Sequence, residues 1–238
     1  MYKLGMVQLK GLLGQTKNPR DALNWLKRAA DQADENNPHA LHQLGLLYEI
    51  EGDGSIIPDQ NYARELFMKA AELGYPPSQF RIGCAFEYGT MGCPIDPRQS
   101  ITWYSHAALQ GEEESALALS GWYLTGAEGV IKQSDTEAYL WARKAAEKGL
   151  SNAEYALGYF TEVGIGVTSN LEEAKRWYYK AASISPLKPL PPDALTQASA
   201  RSTTRKGSPT AERAQKGRRS GPKVSGTPLP VERKEQRR

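Results

Sequence analysis

Apolar residues along this chain recur at helical spacing in short blocks, and the blocks themselves recur. Ala40, Leu44, Leu47 and Tyr48 share one helical face, and so do Ala63, Phe67, Ala70 and Ala71. The first kind of block returns at 40–48, 79–86, 117–124 and 153–160, each with a central glycine: Gly45, Gly83, Gly121 and Gly158. The steps between these glycines are 38, 38 and 37 residues. The second kind closes on alanine pairs: Ala70-Ala71, Ala107-Ala108, Ala145-Ala146 and Ala181-Ala182. A partial earlier copy runs from Leu4-Gly5 to Ala29-Ala30. A near-constant period of this length is the mark of stacked repeats. The pattern predicts an all-α solenoid of about five helix pairs, at 1–36, 37–74, 75–111, 112–149 and 150–183. One pair cannot bury its apolar stripe alone, whereas stacked neighbours can. The expected stack is a right-handed superhelix with a concave face.

Caps sharpen the boundaries. Asn18-Pro19 and Asp96-Pro97 each place a capping side chain before a proline suited to the first helical position. Asn170-Leu-Glu-Glu173 has the spacing of a capping box, with asparagine as the cap. Glycine-containing loops fall between paired helices at 52–54, 89–92, 126–129 and 164–166. A glycine inside a helix costs about 1 kcal/mol against alanine. Its recurrence once per unit therefore implies a close helix crossing, for which the alanine pairs would supply the matching small surface.

Charge divides the chain in two. Residues 1–182 carry 17 basic against 23 acidic side chains, while residues 183–238 carry 13 against 4. The second stretch has eight prolines and no aromatic residue. Such a composition cannot offset chain entropy by burial, so 184–238 reads as a disordered basic tail. Its patches at 201–206 and 213–219 suit anionic surfaces. Without aromatics for base stacking it gives no specific nucleic-acid site, and a solubilising role is the simpler reading. Ser208-Pro209 and Thr227-Pro228 are possible phosphorylation sites of a kind common in disorder. Two cysteines, Cys84 and Cys93, make no disulfide framework and fit a reducing compartment. No apolar run approaches membrane-spanning length, so membrane association is expected only through a partner.

The unit A-x-x-x-L-G-x-x-Y, a glycine loop, an Asp or Asn cap and an aromatic before K-A-A resembles the Sel-one-like repeat, a relative of the tetratricopeptide repeat. The runs 88–97, 119–127 and 158–166, with Asn18-Pro-Arg-Asp-Ala22 and Gly149-Leu-Ser-Asn-Ala153, are similar to the fungal chitin synthase activators. That resemblance implies a non-enzymatic, cofactor-free adaptor. It would bind chitin synthase and promote its activity or its placement, acting in the cytoplasm and at the cell cortex, bud neck or septum. An adaptor of a membrane ubiquitin ligase is the alternative within the same repeat class. Only Met1–Leu4 precede Gly5, and the chain ends Glu235-Gln-Arg-Arg238 without a prenylation cysteine, so a fragment of a longer family member is expected.

Candidate chemistry is sparse. His39 and His42 lie three apart on one helix with no third metal ligand placed by sequence, and His106 reads as packing beside Ala107-Ala108. Glu112-Glu113-Glu114 is the acidic first turn of a helix, complementing its dipole. A β-lactam-hydrolysing reading, known for some bacterial repeat proteins of this class, would need paired cysteines near the alanine motif, where this chain has none. If the first helix of each pair lines the concave face, the register set by the glycines exposes Leu46, Glu49, Phe80, Cys84, Glu87, Trp122, Tyr155, Tyr159 and Glu162 for other proteins. For Trp122 and Tyr159, packing between repeats is equally open.

Overall fold

The structure, a computed structural model, describes residues 1–49 and 56–184. The tail and the loop around Gly52-Asp-Gly54 lie outside these residues. Ten α-helices follow one another: α1 (Tyr2–Lys10), α2 (Pro19–Ala30), α3 (His39–Glu49), α4 (Gln60–Glu72), α5 (Pro76–Tyr88), α6 (Pro97–Leu109), α7 (Glu113–Thr125), α8 (Asp135–Glu147), α9 (Ser151–Val163) and α10 (Leu171–Ile184). Among the described residues the β-structure is a single isolated bridge, Ala127 with Ile131. Each odd-numbered helix packs on the even-numbered helix after it, and each pair packs on the next. The chain is an α-solenoid of five helix pairs, with its core running along the stack.

Every second helix starts with the same device. Asn18, Asp59, Asp96, Ser134 and Asn170 occupy the N-cap, and each side-chain oxygen accepts an amide from the residue three along. Each capping residue also donates its own backbone N–H back to the first helix of its pair. The acceptors are the carbonyls of Gln8, Tyr48, Phe86, Tyr123 and Thr161, at 2.8–2.9 Å. Cap and clasp together set how far the second helix slides along the first. The capping roles of Asp59 and Ser134 are less legible in sequence than those of Asn18 and Asp96, which a proline follows.

The clasp gives an independent register for the five units, because its acceptor lies three residues beyond the small residue at the helix crossing. Counting back places Gly5, Gly45, Gly83, Ser120 and Gly158 in that role. The fourth is a serine, and Gly121 is not part of the set. Side-chain packing agrees. A Cβ built on Gly45 would meet the Phe67 ring at 2.6 Å, one on Gly83 the Tyr104 ring at 2.6 Å, and one on Gly158 the Tyr178 ring at 2.8 Å. On Gly5 it would meet Leu26 at 2.8 Å. On Gly121 it would meet nothing within 4 Å.

The crossing is therefore filled by a large side chain lying over glycine, not by apposed alanines. Leu26, Phe67, Tyr104 and Tyr178 stand three residues before the alanine pair of their units. The fourth unit has Ala142 there, and a smaller lid leaves room for the serine. Ser120 is buried and its Oγ donates to the Ala138 carbonyl at 2.7 Å, so the hydroxyl is satisfied inside its own pair. Glycine with a ring and serine with an alanine are two solutions to one crossing.

The alanine pairs do a different job. Ala70 belongs to the cluster of Leu26, Leu41, Leu44 and Leu66, while Ala71 packs with Ile82 and Ala85 of the following unit. Ala107, Ala108, Ala145, Ala146 and Ala181 are likewise buried. Ala182 is exposed, because no described element lies beyond α10.

Candidate partner-binding face

The first helices also approach one another, as α5 does α7, and their remaining face stays open. With the register anchored on the crossing residue, that face is built from positions three before, one after and four after it. In α3 these are His42, Leu46 and Glu49, and in α5 they are Phe80, Cys84 and Glu87. In α9 they are Tyr155, Tyr159 and Glu162. All are half-buried or exposed, with Tyr159 the most open aromatic at 37%.

Trp122 does not join them. At 8% exposure it packs against Leu119, Tyr139 and Phe160, two residues beyond Ser120, just as Phe160 stands two beyond Gly158. Of the two placements open for Trp122, the structure shows packing between repeats, because the register of α7 counts from Ser120 and not from Gly121. The corresponding positions of α7 are half-buried Leu117 and Leu124 and exposed Gly121, so the stripe on this helix is wholly apolar.

The acids at the end of the stripe are held from below by the residues that lid the crossings. Tyr104, with its ring over Gly83, donates its hydroxyl to Glu87 Oε2 at 2.7 Å and lies 3.2 Å from Cys84 Sγ. Tyr178, with its ring over Gly158, donates to Glu162 Oε2 at 2.6 Å. Burial and the facing carboxylates push both phenols well above their ordinary range, so they remain donors. Phe67 has no hydroxyl, and Glu49 is held instead by an ion pair with Arg81. Arg81 also lies over the Phe67 ring, 5.6 Å from its centroid. Neither Glu87 nor Glu162 has an ion-pair partner among the described residues.

Other titratable groups serve the scaffold. His42 Nδ1 sits 2.8 Å from Ser78 Oγ, and burial, Arg81 and His39 lower its pKa to about 4, so the ring is neutral. His39 is exposed, and no group of three potential metal ligands occurs among the described residues. His106 is exposed too, edge-on to Trp103 at 5.8 Å, rather than packed under the alanines. Cys84 and Cys93 are free thiols, and burial raises the pKa of Cys84. Glu112 caps α7 by accepting the Ser115 N–H at 2.6 Å, and burial with Glu114 beside it raises its pKa to about 7. Glu154, fully buried in α9, is compensated by Lys180 Nζ at 3.3 Å. No helix among the described residues is long and apolar enough to cross a membrane.

A stack of helix pairs whose capping side chains, backbone clasps and crossing lids fix the register, with an open face along the first helices, is a repeat scaffold. The Sel1 repeat model matches residues 1–34, 38–75, 76–112, 114–150 and 151–184, and the chain belongs to that family. A chitin synthase regulator of Malassezia restricta is 49% identical over 174 residues, covering 73% of this chain and 12% of that protein. Chitin synthase regulatory factor 3 of Schizosaccharomyces pombe is 40% identical over 182 residues, covering 76% of this chain and 20% of its own length. The chain thus spans a small part of either relative. A solved Sel1 repeat protein from Oxalobacter formigenes is 30% identical, with a TM-score of 0.68 over 77% of this chain and 71% of that one.

Proposed function

We propose that this chain is the repeat scaffold of a regulatory subunit of chitin synthase. It binds the synthase through the open face of α3, α5, α7 and α9 and sets the enzyme's activity or its place at the growing wall. The observation that carries this reading is the 40–49% identity to proteins named as chitin synthase regulators, over 73–76% of this chain. The face supports it: aromatic side chains such as Phe80, Tyr155 and Tyr159 are of the kind enriched at protein interfaces, and oriented acids beside them add charge selectivity. On this reading the chain works in the cytoplasm and is recruited to the cortex, bud neck or septum by its partner. Proximity labelling with the full chain expressed in a fungal cell tests it. Chitin synthase is expected among the enriched proteins. Enrichment of membrane ubiquitin ligase components without the synthase would instead favour the ligase adaptor.

A further inference from the structure

Gly121 lacks the reasons that hold the other helix glycines in place. It lies inside α7 with ordinary helical backbone, not the left-handed conformation that requires glycine. A Cβ there would touch nothing within 4 Å. The residue is exposed, on the same stripe as Cys84 and Tyr159. Glycine at such a site weakens the helix relative to alanine and returns no packing. Within the isolated scaffold that cost is uncompensated, and this is the condition under which a stability sacrifice points to function.

The surroundings say what would use the space. Leu117 and Leu124, half-buried and packed in part against the core, flank Gly121 along α7, so the surface here is apolar with no side chain at its centre. One turn further along, level with Leu124, Glu87 of α5 and Glu162 of α9 stand on either side. Each is anchored by a tyrosine hydroxyl through Oε2, with no cation among the described residues to neutralise it. Their orientation is prepaid, because Tyr104 and Tyr178 hold them before any partner arrives.

We infer that Gly121 is a notch for a bulky apolar side chain of the bound protein, and that the docking segment carries Lys or Arg residues that meet Glu87 and Glu162 one turn along the stripe from that anchor. The segment is basic and amphipathic, complementary in charge to an acidic stripe whose centre is apolar. The inference rests on the regulatory reading above and specifies the partner segment at the same face. The apolar anchor supplies affinity at the desolvated centre, and the two acids select for charge and speed encounter.

The test uses the full chain as wild type, Gly121→Leu and the double variant Glu87→Gln/Glu162→Gln. Each is assayed against detergent-solubilised chitin synthase and against overlapping peptides tiled over the synthase's cytosolic segments. Gly121→Leu is expected to melt at or above the wild-type temperature, since it removes a helix-weakening glycine from open space, yet to bind at least about tenfold more weakly. Captured peptides are expected to combine a large apolar residue with flanking Lys or Arg. Their binding should fall between about 50 and about 500 mM NaCl, and the double variant should flatten that salt dependence. Wild-type capture of the synthase that neither substitution alters, or capture of acidic peptides, overturns the inference and leaves the regulatory reading standing. A Gly121→Leu chain that melts below wild type also overturns it, because the glycine would then be structural. Failure of the wild-type chain to capture the synthase removes both.

Discussion

Replacing Tyr104 with alanine is expected to destabilise the array by about 3–5 kcal/mol, the range for removing a large aromatic side chain from a packed interior. Tyr104 is 1% exposed and does three things at once. Its ring fills the crossing of α5 and α6 over Gly83. Its body joins the cluster shared with the fourth unit, through Ile101, Ala108, Ala116 and Leu119. Its hydroxyl holds Glu87. Repeat arrays couple each unit to its neighbours, so a cavity in the middle unit weakens both adjoining interfaces. Tyr104→Phe separates the contributions: it keeps the ring and gives up only a hydrogen bond to a carboxylate, worth about 1.5–3 kcal/mol. Urea denaturation followed by helical circular dichroism reads both variants. A loss below about 1 kcal/mol for Tyr104→Ala would mean that the ring does not hold the crossing.

Trp122→Ala is expected to be comparably severe, at about 3–5 kcal/mol. The side chain lies between α7 and its neighbours, in contact with the cluster containing Tyr139, Leu157 and Phe160. Its indole Nε1 has no hydrogen-bond partner among the described residues, so the loss on truncation is one of apolar packing and not of a polar contact. An aromatic on the partner-binding face would behave in the opposite way: its removal would leave the melting curve in place and weaken binding. A lowered unfolding midpoint for Trp122→Ala is the expected outcome. An unchanged midpoint with weakened synthase binding would return Trp122 to the open face.

These two residues show what could be read from the chain alone. Helix pairs, their period and the caps at Asn18, Asp96 and Asn170 rest on local chemistry, namely apolar spacing and a side chain that satisfies nearby amides. The structure places all of them where that chemistry requires. The register of the half-buried and exposed positions on α3, α5 and α9 was legible for the same reason, since it follows from a glycine that is unambiguous in each helix. In α7 two small residues, Ser120 and Gly121, stand side by side, and glycine identity points to the wrong one. The information that decides between them is not local. It lies in Ala142, which replaces the aromatic lid and so admits a serine, and in Tyr123, whose carbonyl receives the Ser134 N–H. Comparing both helices of the unit, rather than the glycine alone, would have revealed the shift. That shift moves Trp122 into the core and puts Gly121 on the surface.

Both the core and the partner-facing stripe depend on this register, and thermal unfolding of Gly83→Ala and Gly121→Ala side by side tests it most directly. In Gly83→Ala the new Cβ falls 2.6 Å from the Tyr104 ring, and the forced shift is expected to lower stability by about 1–3 kcal/mol. In Gly121→Ala the new Cβ meets open space, and the gain in helix propensity is expected to hold stability level or raise it by up to about 1 kcal/mol. Opposite signs are the expected result. A parallel fall in both melting temperatures would contradict the register and, with it, the notch on α7.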